Sequence, residues 1–213
     1  DRCMRYQLNI LGGDTVRTEG PMVWTVTIIG EVPKGTAVMR SGAKVGDVVG
    51  VTNYVGYAAT GLGALSYNLV GYDMTKVGHQ RPEPQIELGQ KLRQLGIHSM
   101  NDISDGLGSE LNEIATASNV SIVFEEQAIP LHEETYELAK HLQTNPVDYA
   151  LYGGEDFQLV FTAPKSLLSE LEKLAGITLI GEVLSGPPRV QMVTSDKTIK
   201  TVEAKGYNHF HEG

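Results

Sequence analysis

Ser99-Met100-Asn101-Asp102-Ile103-Ser104-Asp105-Gly106-Leu107 is where an extended run gives way to a helical pattern. Asp is disfavoured in a strand, where a packed apolar side chain is expected, so Asp102 stands out against its surroundings. From Leu107 on, Leu111, Ile114 and Ala115 recur at three- and four-residue steps, the spacing of one face of a helix. Ser104 and Asp105 occupy the place of a helix cap. A strand that ends in carboxylates and turns directly into a helix is a building block of a mixed α/β chain.

Elsewhere the chain repeats that alternation. Towards the N-terminus, Val48-Val49-Gly50-Val51-Thr52 reads as a strand, and 58–69 and 83–95 have helical spacing. Towards the C-terminus, strands are expected at 120–125, 157–162, 177–183, 190–194 and 199–202, and helices at 133–142 and 165–175. Gly186-Pro187-Pro188 and Ser195-Asp196-Lys197 supply turns. Trp24-Thr25-Val26-Thr27-Ile28-Ile29-Gly30 is rich in β-branched residues and alternates, which predicts one more strand. Between it and Val48 lies a Gly-, Pro- and Lys-containing stretch, so a domain boundary falls near residue 33.

The bulk composition narrows the function. At 213 residues, 41% apolar and 20% charged, the chain has an ordinary globular mixture and no run long and apolar enough to cross a bilayer. A net charge of −9 argues against nucleic-acid partners, whose affinity rests on Lys and Arg neutralising phosphates. Cys3 is the single cysteine, which fits a reducing, cytoplasmic setting, and the opening Asp1-Arg2-Cys3-Met4-Arg5 has no charged-then-apolar leader.

Three clusters combine glycine with acid: Gly12-Gly13-Asp14-Thr15, Asp102-Ile103-Ser104-Asp105-Gly106 and Gly153-Gly154-Glu155-Asp156. Each alone reads as a turn or a cap. Together they suit a metal-bridged nucleotide, because Mg²⁺ prefers carboxylate and water oxygens and glycine lets backbone amides approach a phosphate. The chain has no Gly-x-x-x-x-Gly-Lys-Ser/Thr loop, no protein-kinase motif set, no Cys and His zinc spacing and no Gly-x-Ser-x-Gly elbow.

These clusters occur in one order with Thr25-Val26-Thr27-Ile28-Ile29-Gly30-Glu31-Val32, Arg40-Ser41-Gly42-Ala43-Lys44-Val45-Gly46-Asp47 and Gly206-Tyr207-Asn208-His209-Phe210. So arranged, the chain resembles the thiamine-monophosphate kinase family, of the aminoimidazole ribonucleotide synthetase-like fold group. The resemblance implies a two-domain α/β (α+β) fold. Residues 1–32 would be the tail of an N-terminal ATP-binding and dimerisation domain that is largely missing, and 33–213 a complete C-terminal mixed α/β domain. It implies a homodimer, ATP as co-substrate, Mg²⁺ as metal and thiamine monophosphate as phosphate acceptor. Asp14, Asp102 and Asp105 resemble the metal ligands and catalytic acids. Gly13, Asp14, Arg40 and Ser104 resemble nucleotide contacts, and Glu155 and Tyr207 substrate contacts, with Asp156 able to exchange roles with Glu155. Asn208 stands where the family has Asp, and 53–61 departs from the usual Gly-rich version. Acidic segments expected nearer the N-terminus are absent from the sequence, so this chain alone is expected to lack kinase activity. Rival readings are another ATP-dependent synthetase of the fold group and a noncatalytic nucleotide-binding fragment.

Overall fold

The structure is a computed structural model that describes residues 2–205. Contacts divide the chain into two compact units, Asp1–Pro33 and Lys34–Gly213. In the first, α1 (Arg2–Arg5) is the single regular element among the described residues. Residues 24–30, expected as a strand, form none, and Trp24, Val26 and Ile28 are exposed at 84%, 78% and 72%. The alternation is genuine, but a strand exists only as part of a ladder, and no described segment of this unit lies alongside to complete one.

The second unit is built on a seven-stranded sheet in the order β2-β4-β1-β5-β3-β6-β7. Its strands are β1 (Val48–Thr52), β2 (Ser99–Asp102), β3 (Ser121–Glu125), β4 (Leu159–Ala163), β5 (Ile177–Leu184), β6 (Arg189–Val193) and β7 (Ile199–Thr201). All neighbours run antiparallel except β3 and β6, which are parallel. Alternate residues of the central strands enter two separate cores. Val49, Val51 and Val160 pack with α5 (Leu107–Ser118) and α7 (Pro146–Tyr152), whereas Val48 and Phe161 pack with Leu92 of α4 (Ile86–Leu95) and Leu171 of α8 (Leu168–Leu171). Gly50 makes room for Phe161, since a Cβ there would come within 2.5 Å of the ring.

Two further helices, α2 (Tyr57–Ser66) and α6 (Glu133–Leu142), fall within two residues of their sequence expectations at the N-terminal end, while α3 (Asp73–Gln80) was not anticipated, nor was α7. The helix expected from residue 83 starts at Ile86, because Pro84 disfavours helical geometry at the residue before it. The helix expected over 165–175 is a 3-10 turn, Lys165–Leu167, followed by the single turn of α8. Ser104 and Asp105 do not cap α5. Its N-cap is Gly106, with φ 98° and no side-chain cap, and a Cβ at Gly106 would lie 2.6 Å from the Leu151 carbonyl oxygen.

Candidate functional site

Two loops meet at one end of the sheet. The β2–α5 connection carries Ile103, Ser104 and Asp105, and the α7–β4 connection carries residues 153–158. The Glu155 amide donates to the Ser104 carbonyl at 2.9 Å, the Phe157 amide to Ile103 at 2.9 Å, and the Ile103 amide to Gln158 at 2.7 Å. Glycine is required for this approach: a Cβ on Gly154 would lie 2.1 Å from the Ser104 oxygen, and one on Gly153 2.3 Å from the Tyr149 oxygen. Glu155 and Phe157, neither of them glycine, adopt left-handed backbone at φ 69° and 50°, a costly conformation that the surrounding contacts impose.

Between those two residues, Asp156 turns inward. It is 4% exposed, and its carboxylate accepts from the Gly56 amide at 2.6 Å and the Ala58 amide at 2.8 Å, at the N-terminus of α2. No cation pairs with it among the described residues. Burial pushes its carboxyl up to about 7, against the opposing pull of the backbone donors of Ala58, Gly56 and Tyr57. The roles of Glu155 and Asp156, interchangeable on sequence alone, differ here: Glu155 is exposed at the wall of a cavity and Asp156 is an internal anchor.

That cavity, about 760 Å³, is bordered by Ser104, Asp105, Gly153, Gly154 and Glu155 on one side. Leu62 and Ser66 of α2, Tyr67, His79 of α3, and Tyr149 and Tyr152 of α7 form much of the remainder. Its volume suits a small organic ligand, and its walls combine aromatic rings with polar groups, a common composition of such sites. The buried His79 Nδ1 has no hydrogen-bond partner among the described residues.

Asp102 and Asp105 are both exposed, and their carboxylates accept no hydrogen bond among the described residues. Behind them stands a polar network that the sequence reading missed. Glu110 of α5 is buried; its carboxylate accepts from the Ser104 hydroxyl at 3.3 Å, the Asp105 amide at 3.2 Å and the Asn101 amide group. Burial, chiefly, raises the Glu110 carboxyl, and the charges of Glu113 and Asp102 add to the effect. Asn101 also donates to Glu113 at 3.0 Å and accepts from Arg40 Nε at 3.0 Å, while Arg40 Nε lies 3.0 Å from Glu113. Arg40, Ser104 and Asp105, singled out separately in the sequence, thus belong to one connected network. The one hint was an Asn placed inside a strand.

Asp14 and Gly13 lie in the first unit, where the Thr15 amide donates to Asp14 Oδ1 at 2.8 Å and nothing lies within 4 Å of a Cβ built on Gly13. Tyr207 falls outside the described residues. Among the described residues no group of three or more His, Cys, Asp or Glu could hold a metal. Asp102 and Asp105 by themselves fit Mg²⁺ in chemistry, being oxygen donors left unpaired and exposed, since that ion keeps several waters and takes one or two carboxylates together with substrate phosphates. No helix among the described residues is long and apolar enough to cross a membrane.

Residues 44–193 match the family model described as AIR synthase related protein, C-terminal domain. The chain is 39% identical to the thiamine-monophosphate kinase of Bacillus subtilis (strain 168), over 96% of this chain and 65% of that protein. It is 35% identical to the thiamine-monophosphate kinase of Escherichia coli (strain K12), over 96% of this chain and 64% of that protein. A solved structure described as AaThiL complexed with AMPPCP and TMP superimposes with a TM-score of 0.70 at 34% identity, over 81% of this chain and 54% of that one. The chain therefore spans 65% and 64% of the length of those two curated relatives, just under two thirds.

Proposed function

Because this chain belongs to the family of AIR synthase related proteins, C-terminal domain, we propose that it is the larger part of a thiamine-monophosphate kinase, which transfers the ATP γ-phosphate to thiamine monophosphate. The observation that carries the reading is the meeting of two loops at one cavity. The Ser104 and Asp105 segment, with acids suited to a metal-bound nucleotide, is hydrogen-bonded to the Gly153–Glu155 segment, and both border a cavity with aromatic walls. A phosphorylated heteroaromatic acceptor would place its rings among Tyr67, Tyr149 and Tyr152 and its phosphate toward Asp105.

The acceptor's phosphate oxygen is already deprotonated, so the reaction needs no general base. The obstacle is bringing two polyanions together, in a chain whose own charge is −9. Bound Mg²⁺ would supply the compensating positive charge. Asp102 and Asp105 would hold it. Arg40, half-exposed and held at Nε, would offer its two terminal nitrogens to the nucleotide phosphates. Ser104 would contact the nucleotide and Glu155 the acceptor. The lone cysteine supports a reducing, cytoplasmic setting, and the exposed apolar run over residues 24–29 supports a homodimer formed through that segment.

The test is to incubate the whole protein that carries this chain with ATP, Mg²⁺ and thiamine monophosphate, and to separate the products by chromatography. Thiamine diphosphate and ADP should appear in equal amounts. ADP release driven by some other acceptor, with thiamine monophosphate inert, would replace the reading with a synthetase of the same fold group.

A further inference from the structure

Asn101 lies on β2 at 7% exposure, in a strand position where an apolar residue would pack better, yet its side-chain amide uses three hydrogen bonds. Its oxygen accepts from Arg40 Nε at 3.0 Å, and its nitrogen donates to Glu113 at 3.0 Å and to Glu110. Those partners come from three places in the chain: the loop before β1, and two turns of α5. Through Glu110 the same amide reaches the Ser104 hydroxyl and the Asp105 backbone. We propose that Asn101 is a positioning residue, which fixes the orientation of the Arg40 guanidinium for a nucleoside triphosphate and ties it to the Ser104 and Asp105 segment.

The argument is one of geometry and pre-organisation. An Arg side chain that is 55% exposed would ordinarily sample many rotamers, and a phosphate ligand would have to order it on binding. Nε is the one guanidinium nitrogen that can be bonded to the protein while both terminal nitrogens still face outward in their planar fork. That nitrogen donates to Asn101, and Glu113 forms an ion pair with it. Glu113 alone would serve poorly, because it is itself half-exposed and sits near a second acid, Glu110, on the same helix face. The Asn101 amide lies between the two carboxylates, donates to both, and presents its oxygen to the cation. None of this needs Asn101 to touch the nucleotide.

The inference rests on the placement of Arg40 at the nucleotide, so the experiment separates the two. In the whole protein, with Mg²⁺ present, a fluorescent methylanthraniloyl-ADP is titrated against wild type, Arg40→Ala, Asn101→Ala and the double variant. Asn101→Leu, which keeps the side-chain volume, stands in if Asn101→Ala does not fold. Arg40→Ala should weaken binding about tenfold and the Asn101 variant about fivefold, with the double variant within about twofold of Arg40→Ala, because the two residues act as one unit. Affinity for thiamine monophosphate should stay within about twofold in the Asn101 variant, which a general loss of structure would not allow. Wild-type affinity in the Asn101 variant, or losses that multiply in the double variant, would overturn the positioning role. Wild-type affinity in Arg40→Ala would instead remove Arg40 from the nucleotide site and the premise with it.

Discussion

In the first of the two loops that meet at the cavity, residues 101–106 are held by side chains: Asn101, Glu110 and Glu113 share hydrogen bonds among themselves and with Arg40, Ser104 and Asp105. In the second loop, residues 153–157 are held by the backbone. Their glycines sit where no Cβ fits, their amides reach the Ile103 and Ser104 carbonyls, and Asp156 is gripped by two amides of the α2 N-terminus. Each side buries one carboxylate, and burial raises the pKa of both. The company differs, however. Glu110 shares its charge with other polar side chains that can rearrange, whereas Asp156 faces main-chain donors that cannot. A side-chain network can be retuned one residue at a time, while a backbone cradle tolerates little substitution.

Functional effects should be largest where the first loop meets solvent. Asp102→Asn and Asp105→Asn remove exposed carboxylates that nothing else in the described chain uses. Each is expected to lower the turnover of the whole protein by about 100-fold or more while changing stability by under about 0.5 kcal/mol. Steady-state kinetics at saturating Mg²⁺ with a parallel urea titration checks both halves; unchanged turnover removes the metal role.

The second loop should instead fail structurally. Gly154→Ala puts a methyl group 2.1 Å from the Ser104 carbonyl oxygen, where backbone meets backbone and neither side can rotate away. A loss of about 3 kcal/mol in unfolding free energy is expected, at the upper end of ordinary overpacking. A variant as stable as wild type would mean that the two loops are not locked together.

Asp156 sharpens the contrast through pH. Its folded carboxyl titrates at about 7, above the ordinary value of 3.8, so between those values the folded state holds a proton that the unfolded state has released. Stability contributed by this group is therefore complete below about pH 4 and is lost as pH rises through 7. Asp156→Asn should abolish that component, so the stability changes of the two proteins between pH 5 and 8 should differ by about 1–3 kcal/mol. Denaturant midpoints measured from pH 5 to 8 decide it, and parallel slopes would contradict the buried, unpaired state of the carboxyl.

How much of this was legible in the sequence depended on where the stabilising contacts came from. α6 was readable because its apolar residues recur within its own span, and β1 because its run is rich in valine and bounded by turns. α7 announced itself with Asn145 and Pro146, and the Asn145 side chain does accept from the Val147 amide, so that signal was present and overlooked. α3 was not readable. Tyr72 provides no side-chain cap, and the amide and hydroxyl of Thr75 are instead met by Glu134, which is 59 residues away and belongs to α6. Residues 24–30 erred the other way: the β-branched pattern was local, but the ladder it requires is not. Within the site, the acids and glycines could be recognised as types. That Asp156 points inward and Glu155 borders the cavity depends on the α2 amides, which no spacing within residues 153–157 specifies.

The smallest effect is expected at Glu110→Gln, and its smallness distinguishes the two loops. Oε1 of Glu110 serves Ser104 and Asp105, and a glutamine can keep an oxygen there. Its new amide group then faces Asn101 Nδ2, donor against donor, unless the Asn101 amide turns over and presents its oxygen instead. That flip relieves this clash, but it withdraws the acceptor from Arg40 Nε and the donor from Glu113. Removing a buried carboxylate also removes its desolvation cost, so the net change in stability should stay within about 1 kcal/mol, in contrast to the rigid response at Asp156. The loosened Arg40 should nonetheless be visible as faster solvent exchange of its Nε proton by NMR. Destabilisation by several kcal/mol would show that the network is as inflexible as the backbone cradle beside it.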